Sequence, residues 1–216
     1  MGKKRYLPRV PRAAHGFRAQ DVRNIPRGAW WARQWMQAID SMRLGPRAGR
    51  GRVYAEQGQV SSIRVDGPHV EAVVLGGRPE PYDVKIDFAA IPHDGVYFME
   101  RLGAMSVGRI LAGEMPTIVS EQFSLAGLSP YPTLGVDRFW CSCPDWSKPC
   151  KHIAAVLYLL GDALIRDPSL LLRLRGVCFG KRDAAGVALP LWKGSIRLAD
   201  ALARIYRRTG LADGRW

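Results

Sequence analysis

The 216-residue chain has 47% apolar, 9% aromatic and 24% charged side chains, which is enough apolar material for one sizeable core or two small ones. No stretch approaches the roughly 18 to 20 consecutive apolar residues of a membrane-spanning helix, and the basic N-terminus leads into proline and arginine rather than an apolar signal sequence. These features argue against a disordered, a secreted or an integral membrane protein.

Positive charge is concentrated at the front of the chain. The net charge is +13, and residues 1–52 supply +11 of it, with thirteen lysines and arginines against two aspartates. An excess of this size predicts a polyanionic partner, and we expect DNA or another nucleic acid. The basic residues that we predict to contact it are Lys3, Lys4, Arg5, Arg9, Arg12, Arg47, Arg50, Arg52, Lys148 and Lys151.

Residues 1–27 are predicted to form a flexible basic arm. Three prolines and few large aliphatic residues leave little in this segment that could pack into a core. A solvated segment that only keeps the protein in solution is the alternative interpretation.

Residues 28–92 are predicted to form a helix followed by a small antiparallel β domain. Trp31, Trp35, Ile39 and Met42 recur at the spacing of one helix face, and this spacing favours a core role for the tryptophans. Four short β-rich runs follow, at 53–56, 60–65, 70–75 and 82–88. We therefore expect a four-stranded antiparallel sheet or a small open barrel, with the Trp-rich helix covering one face.

Residues 93–176 are predicted to be mainly helical, so the expected fold class is α+β. Apolar periodicity predicts a helix over 94–112, followed by a loop rich in glycine and proline. The run 153–165 is apolar on nearly every side, which is typical of a buried helix, and a short helix begins at Asp167-Pro168. Residues 177–216 are predicted to form a C-terminal extension with a terminal helix over 195–208, and Cys178 is interpreted as a buried thiol.

Four potential metal ligands lie in a span of twelve residues that leads into the predicted buried helix. Cys141, Cys143, Cys150 and His152 follow the pattern CxC, six residues, CxH. Three thiolates and one imidazole fill the tetrahedral shell of a structural zinc and leave no open position for a water molecule. The sequence therefore predicts one structural Zn²⁺, in a finger over 139–165, and a reducing compartment rather than a disulfide framework.

Other interpretations of this segment are weaker. Three buried thiols beside a histidine would explain an isolated CxC or CxH, but not four such ligands together. Cys150 as a nucleophile with His152 as its base would leave the other two thiols unexplained. For Trp146, between the ligand pairs, two roles stay open: stacking on a nucleobase beside Lys148 and Lys151, or packing over the zinc site.

Several segments resemble those of bacterial SWIM-type zinc finger proteins that are encoded beside SWI/SNF-type helicase-like ATPases. The segments are GAWWARQW at 28–35, GRGRVYAEQG at 49–58, PYDVKI at 81–86, LAGEMP at 111–116 and CSCPDWSKPCKHIAAVLYLL at 141–160. The resemblance covers about residues 28–176. It implies that Cys141, Cys143, Cys150 and His152 bind zinc and that the finger serves DNA binding or protein contact.

Two classes of function follow from these features. The first is a zinc-stabilised nucleic-acid-binding accessory protein that partners a SWI/SNF-type ATPase, and the alternative is a protein-interaction adaptor whose finger does not touch DNA. No carboxylate pair, Ser/His/Asp set or GxxxxGK[ST] loop accompanies the finger, so we expect neither enzyme activity nor a small-molecule substrate. We expect a cytoplasmic, nucleoid-associated protein.

Overall fold

The computed structural model of the chain describes residues 14–91, 95–146 and 148–177. Its helices are α1 Trp30–Ser41, α2 Pro46–Glu56, α3 Gly95–Leu111, α4 Ile118–Leu125, α5 Lys151–Arg166 and α6 Ser169–Arg173, and its strands are β1 Val60–Asp66, β2 His69–Val74, β3 Tyr82–Asp87 and β4 Arg138–Cys141. The predictions for Lys3, Lys4, Arg5, Arg9, Arg12, Cys178 and the helix over 195–208 concern residues outside this part of the chain.

The four strands form one antiparallel sheet in the order β1-β2-β3-β4. The sheet is open rather than closed into a barrel, and its strands alternate buried and exposed side chains, as expected when one face packs on a core. The side chains that line the inner face are Val70, Ala72, Val74, Val84 and Ile86. The predicted α+β class and small antiparallel sheet are therefore confirmed.

The fourth strand comes from a different segment than predicted. Residues 53–56 belong to the last turn of α2, which has proline at its first position and buries Tyr54 and Ala55. Four β-favouring residues do not end a helix that has already begun, because each residue added to the helix gains a further backbone hydrogen bond. The true fourth strand is β4, which pairs with β3 through Val84 opposite Cys141 and Ile86 opposite Phe139.

Helix α5 is the central element of this part of the fold. It is buried along most of its length, as predicted, and it lies against β1, β3 and β4. The Trp-rich helix α1 packs on α5 rather than covering the sheet, and the indole N–H groups of Trp31 and Trp35 donate to the carbonyls of Leu164 and Leu157 at 2.7 and 2.9 Å. The tryptophans thus belong to the core, and their buried N–H groups are satisfied.

Helix α2 also packs along α5, and Gly51 permits the close approach. A Cβ atom at Gly51 would lie 2.5 Å from Cβ of Ala154 and 2.9 Å from the carbonyl oxygen of Lys151. Such distances are shorter than any van der Waals contact, so a side chain at position 51 would force the helices apart. The contact places α2 beside the first turn of α5.

Part of the predicted flexible arm is packed against the sheet and α5. Phe17 donates its N–H to the Val60 carbonyl at 2.8 Å, and the buried Asp162 carboxylate accepts the N–H groups of Gln20 and Asp21 at 2.8 and 2.7 Å. Proline and arginine content suggested a solvated segment, but local composition does not reveal a backbone that is held by a distant carboxylate. The flexible-arm prediction is wrong for residues 14–22.

The described residues divide into two compact units. One comprises 14–89 and 131–166, so the sheet, α1, α2 and α5 belong together, and the finger segment completes the sheet through β4. The other comprises 90–130 and 167–177 and contains α3, α4 and α6. In this second unit α3 covers the helix predicted over 94–112, but non-helical backbone at Gly103 (φ 71°, ψ 156°) breaks it into two parts, and α4 lies in a predicted loop. No helix in the described ranges has the length and apolarity needed to cross a membrane.

Candidate metal centre

The four predicted ligands converge between the end of β4 and the start of α5. Cys141 is the last residue of β4, Cys143 follows two residues later, Cys150 directly precedes α5, and His152 lies in its first turn. All four are buried, with exposed fractions of 8% or less. The antiparallel pairing of β4 with β3 fixes the first pair, and the helix start fixes the second.

The distances between the ligand atoms suit a tetrahedral zinc site. Zinc–sulfur and zinc–nitrogen bonds of ordinary length place neighbouring ligand atoms about 3.5 to 3.8 Å apart. Here Nδ1 of His152 lies 3.8 Å from Sγ of Cys141 and 3.9 Å from Sγ of Cys150, and all four ligand atoms lie within 4.8 Å of one another. The cluster is therefore compatible with one structural zinc, with Nδ1 as the histidine ligand.

Surrounding backbone groups favour thiolates at all three cysteines. The N–H groups of Cys143, Asp145 and Ile153 donate to the sulfurs of Cys141, Cys143 and Cys150, respectively. Hydrogen bonds from the Cys141 and Cys150 thiols lower the pKa of Cys143 well below its usual range, and the bond with Cys143 raises the pKa of Cys141. The three sulfurs hydrogen-bond to one another, and a divalent cation bound among them would stabilise all three as thiolates.

Two cations near the cluster offset its negative charge. Three thiolates and a neutral imidazole around Zn²⁺ carry a net charge of −1. The Lys148 ammonium lies 3.7 Å from Sγ of Cys143 and donates to the Cys141 carbonyl at 2.9 Å. Arg47 pairs with Asp145 at 3.1 Å and interacts electrostatically with Cys150. Lys148 and Arg47 therefore help to hold the finger, besides any role they have in binding a polyanion.

Aromatic rings enclose the His152 imidazole. The Tyr82 ring stacks on it at a centroid distance of 4.4 Å, and the Tyr54 ring lies at 5.5 Å. A Cβ atom at Gly76 would lie 2.6 Å from the Tyr82 ring and 3.7 Å from Nε2 of His152. Tyr82 and Gly76 therefore fix the orientation of the ring that presents Nδ1 to the sulfurs. Sequence reasoning missed them because β2 and β3 bring them to the finger from more than fifty residues earlier in the chain.

The other basic residues predicted to bind nucleic acid have varied surroundings. Arg50 is exposed on α2, one turn after Arg47. The Lys151 ammonium lies 5.0 Å from the centre of the Tyr54 ring, in cation–π range. Arg52 is half-buried, with its guanidinium 5.0 Å from the centre of the Tyr158 ring and 4.0 Å from Asp40, so it joins helices more than it faces solvent.

Comparison with known proteins agrees with this geometry. The family model described as SWIM zinc finger matches residues 134–161, which include all four ligands of the cluster. The chain contains a SWIM zinc finger. Uncharacterized protein Rv2102 of Mycobacterium tuberculosis is 37% identical over 177 residues, which cover 78% of this chain and 63% of the relative. The chain thus spans less than two thirds of that relative's length. No solved structure matches the chain.

Trp146 of the SWIM finger faces solvent. Its side chain is 90% exposed, so it does not pack over the metal cluster. Of the two roles left open by the sequence, packing over the zinc site is therefore wrong, and stacking on a nucleobase stays a prediction.

Proposed function

We propose that the protein is a zinc-stabilised nucleic-acid-binding accessory protein. The observation that carries the proposal is the position of α2, which brings basic residues of the charged front segment beside the SWIM finger. The Gly51 contact with Ala154 places α2 along the first turns of α5, and the Arg47–Asp145 pair joins α2 to the finger loop. We call Arg47, Arg50, Lys148 and Lys151 the basic finger surface.

Electrostatics support a polyanionic partner at the basic finger surface. Phosphate groups attract clustered lysine and arginine side chains over several ångströms and release counterions when they bind. Arg50 is exposed, and the Lys151 ammonium lies 5.0 Å from the centre of the Tyr54 ring. The net charge of +11 over residues 1–52 is a further sequence feature that suits a polyanionic partner.

The zinc in this proposal is structural. Four protein ligands leave no position for a reacting water molecule, so the metal would fix the loop between β4 and α5 and supply no chemistry. We propose accordingly that the protein has no turnover of its own.

Partnership with a SWI/SNF-type helicase-like ATPase is the finer part of the proposal, and it rests on the family resemblance. The sequence has no GxxxxGK[ST] loop, so ATP-driven work would come from a partner. Recovery of such an ATPase with the tagged protein from its host, and a change in its DNA-stimulated rate on adding the pure protein, are the expected results. Recovery without any ATPase, together with an unchanged rate, would contradict the partnership.

The salt dependence of DNA binding tests the nucleic-acid part directly. Each phosphate contact should contribute about 0.9 to the slope of log affinity against log salt on duplex DNA. The double variant Arg50→Gln, Lys151→Gln should lower this slope by up to about 2 if both side chains contact phosphates. The matched control is Arg64→Gln, Lys85→Gln, which removes two exposed cations from β1 and β3 instead. Absence of salt-dependent binding by the parent protein would favour the adaptor function.

A further inference from the structure

Trp146 is the most exposed of the large apolar side chains in the described residues. Its exposed fraction is 90%, whereas Trp31 and Trp35 are 5% and 0% exposed. It lies in the loop between Cys143 and Cys150, so the metal cluster anchors the chain on both sides of it. Its neighbour Asp145 is held by Arg47. The indole is thus exposed to solvent beside a residue, Asp145, that an ion pair holds in place.

The charges around this indole indicate which partner it suits. Arg47 bonds to Asp145, the residue directly before Trp146. Arg50 lies three residues after Arg47, on the same face of α2. Lys148 follows two residues after Trp146. A partner that covers the indole would therefore meet positive charge as well as a flat aromatic face. Nucleobases joined by phosphates have both complementary features.

Strand state decides whether bases can reach the indole. In a duplex the faces of the bases are covered by stacking on each other, and a protein reads only their edges in the grooves. In a single strand the faces are free, and stacking on an aromatic side chain contributes about 1 to 3 kcal/mol per base. An exposed indole beside cations is therefore better suited to a single strand than to a duplex.

We propose that Trp146 is a stacking platform for a base of single-stranded nucleic acid, with Arg50 positioned for the adjoining phosphate. The proposal rests on the nucleic-acid-binding function above and adds to it a substrate class and a residue. It gives the SWIM finger a direct contact with the ligand, whereas the zinc serves to hold the loop in place.

Fluorescence anisotropy with labelled oligonucleotides of about 12 nucleotides tests the proposal. The full zinc-loaded protein is titrated with oligo-dT, oligo-rU and a duplex of equal length. Trp146→Ala should weaken single-strand binding by about 5- to 150-fold and change duplex binding less than about two-fold, the range expected when one stacked base is removed. Trp146→Phe should restore most of the affinity. Trp140→Ala, at a half-exposed tryptophan in β4, is the matched control and should bind single strands like the parent.

The outcomes separate this proposal from the function on which it rests. Weaker binding of either oligo-dT or oligo-rU supports stacking, and an effect on only one identifies which of the two strands the indole prefers. If Trp146→Ala binds single strands as the parent does, or weakens single-strand and duplex binding equally, the stacking proposal is wrong while nucleic-acid binding stands. If the parent protein binds none of the three probes, the proposed function itself fails. Zinc content and circular dichroism of each variant exclude unfolding as the cause.

Discussion

The Tyr82 ring stacks on the imidazole of His152, with ring centres 4.4 Å apart and an angle of 23° between the planes. Tyr82 is the first residue of β3 and His152 lies in the first turn of α5, so the contact ties the sheet directly to the predicted metal centre. The orientation of a histidine ligand depends on the groups that hold its ring, and removal of such groups typically lowers metal affinity 10- to 100-fold.

Gly76→Ala is predicted to weaken zinc binding by about ten-fold, the lower end of the range for residues that orient a ligand. The new methyl group would lie 2.6 Å from the Tyr82 ring and would displace it from the imidazole. Zinc affinity is measured by competition with a chromophoric chelator, and Co²⁺ substitution gives an absorption spectrum that is sensitive to the ligand geometry. Gly49→Ala, where a Cβ atom meets nothing within 4 Å, is the control. Equal zinc affinities for the two variants would show that Tyr82 does not orient His152.

The pair Gly49 and Gly51 gives a prediction about helix packing. Alanine favours a helix over glycine by about 1 kcal/mol, so Gly49→Ala should stabilise the protein by up to that amount. Gly51→Ala should destabilise it by about 1 to 3 kcal/mol, because its methyl group would overlap Ala154 and push α2 from α5. Urea denaturation of both variants checks the prediction. Stabilisation by Gly51→Ala would mean that α2 and α5 are not in close contact.

The Arg23–Glu56 pair should make stability depend on pH. The hydrogen bond from Arg23 lowers the pKa of Glu56, so the pair stabilises the fold above the ordinary glutamate pKa and loses this effect as pH falls through the lowered value. The contribution should be small, because the pair lies at the surface, where solvent screens the charges. Glu56→Gln should therefore be less stable than the parent near neutral pH, with a difference that vanishes in acid. A difference that grows on acidification would contradict this account.

The length of the N-terminal deletion should matter for folding. Removal of residues 1–13 takes away Lys3, Lys4, Arg5, Arg9 and Arg12, and the salt slope on duplex DNA should fall by about 0.9 for each of these side chains that binds a phosphate. Removal of residues 1–27 also deletes Phe17 and the N–H groups that Asp162 accepts, so it should lower the melting temperature as well. Unfolding curves and DNA titrations of both deletions distinguish the effects. An unchanged salt slope after the short deletion would assign the first residues to solubility alone.

Much of the fold and the candidate ligands could be predicted from the sequence, because the signals are local. Short β-rich runs separated by turn residues predicted β1, β2 and β3, and the apolar run after His152 predicted the buried helix α5. The CxC and CxH spacing predicted the cluster that the fold brings together. Each of these signals lies within a short window of the chain.

The features that could not be predicted depend on contacts between distant segments. β4 has only four residues, and its place in the sheet comes from pairing with β3 more than fifty residues earlier. The packing of Tyr82 and Gly76 around His152 also joins distant segments. The same is true of the hydrogen bonds that the N–H groups of Gln20 and Asp21 donate to Asp162. Local pattern does not specify which strand or carboxylate a segment will meet.

The claim that Cys141, Cys143, Cys150 and His152 hold one structural zinc is tested most directly by metal analysis of the parent protein and Cys143→Ser, both purified without chelator. We predict one zinc per chain in the parent and far less in the variant. Metal binding contributes on the order of 10 kcal/mol in zinc-finger peptides, so the variant should also melt at a much lower temperature. Well under one zinc per chain in the parent, or a Cys143→Ser variant that retains its zinc and melts like the parent, would contradict the account.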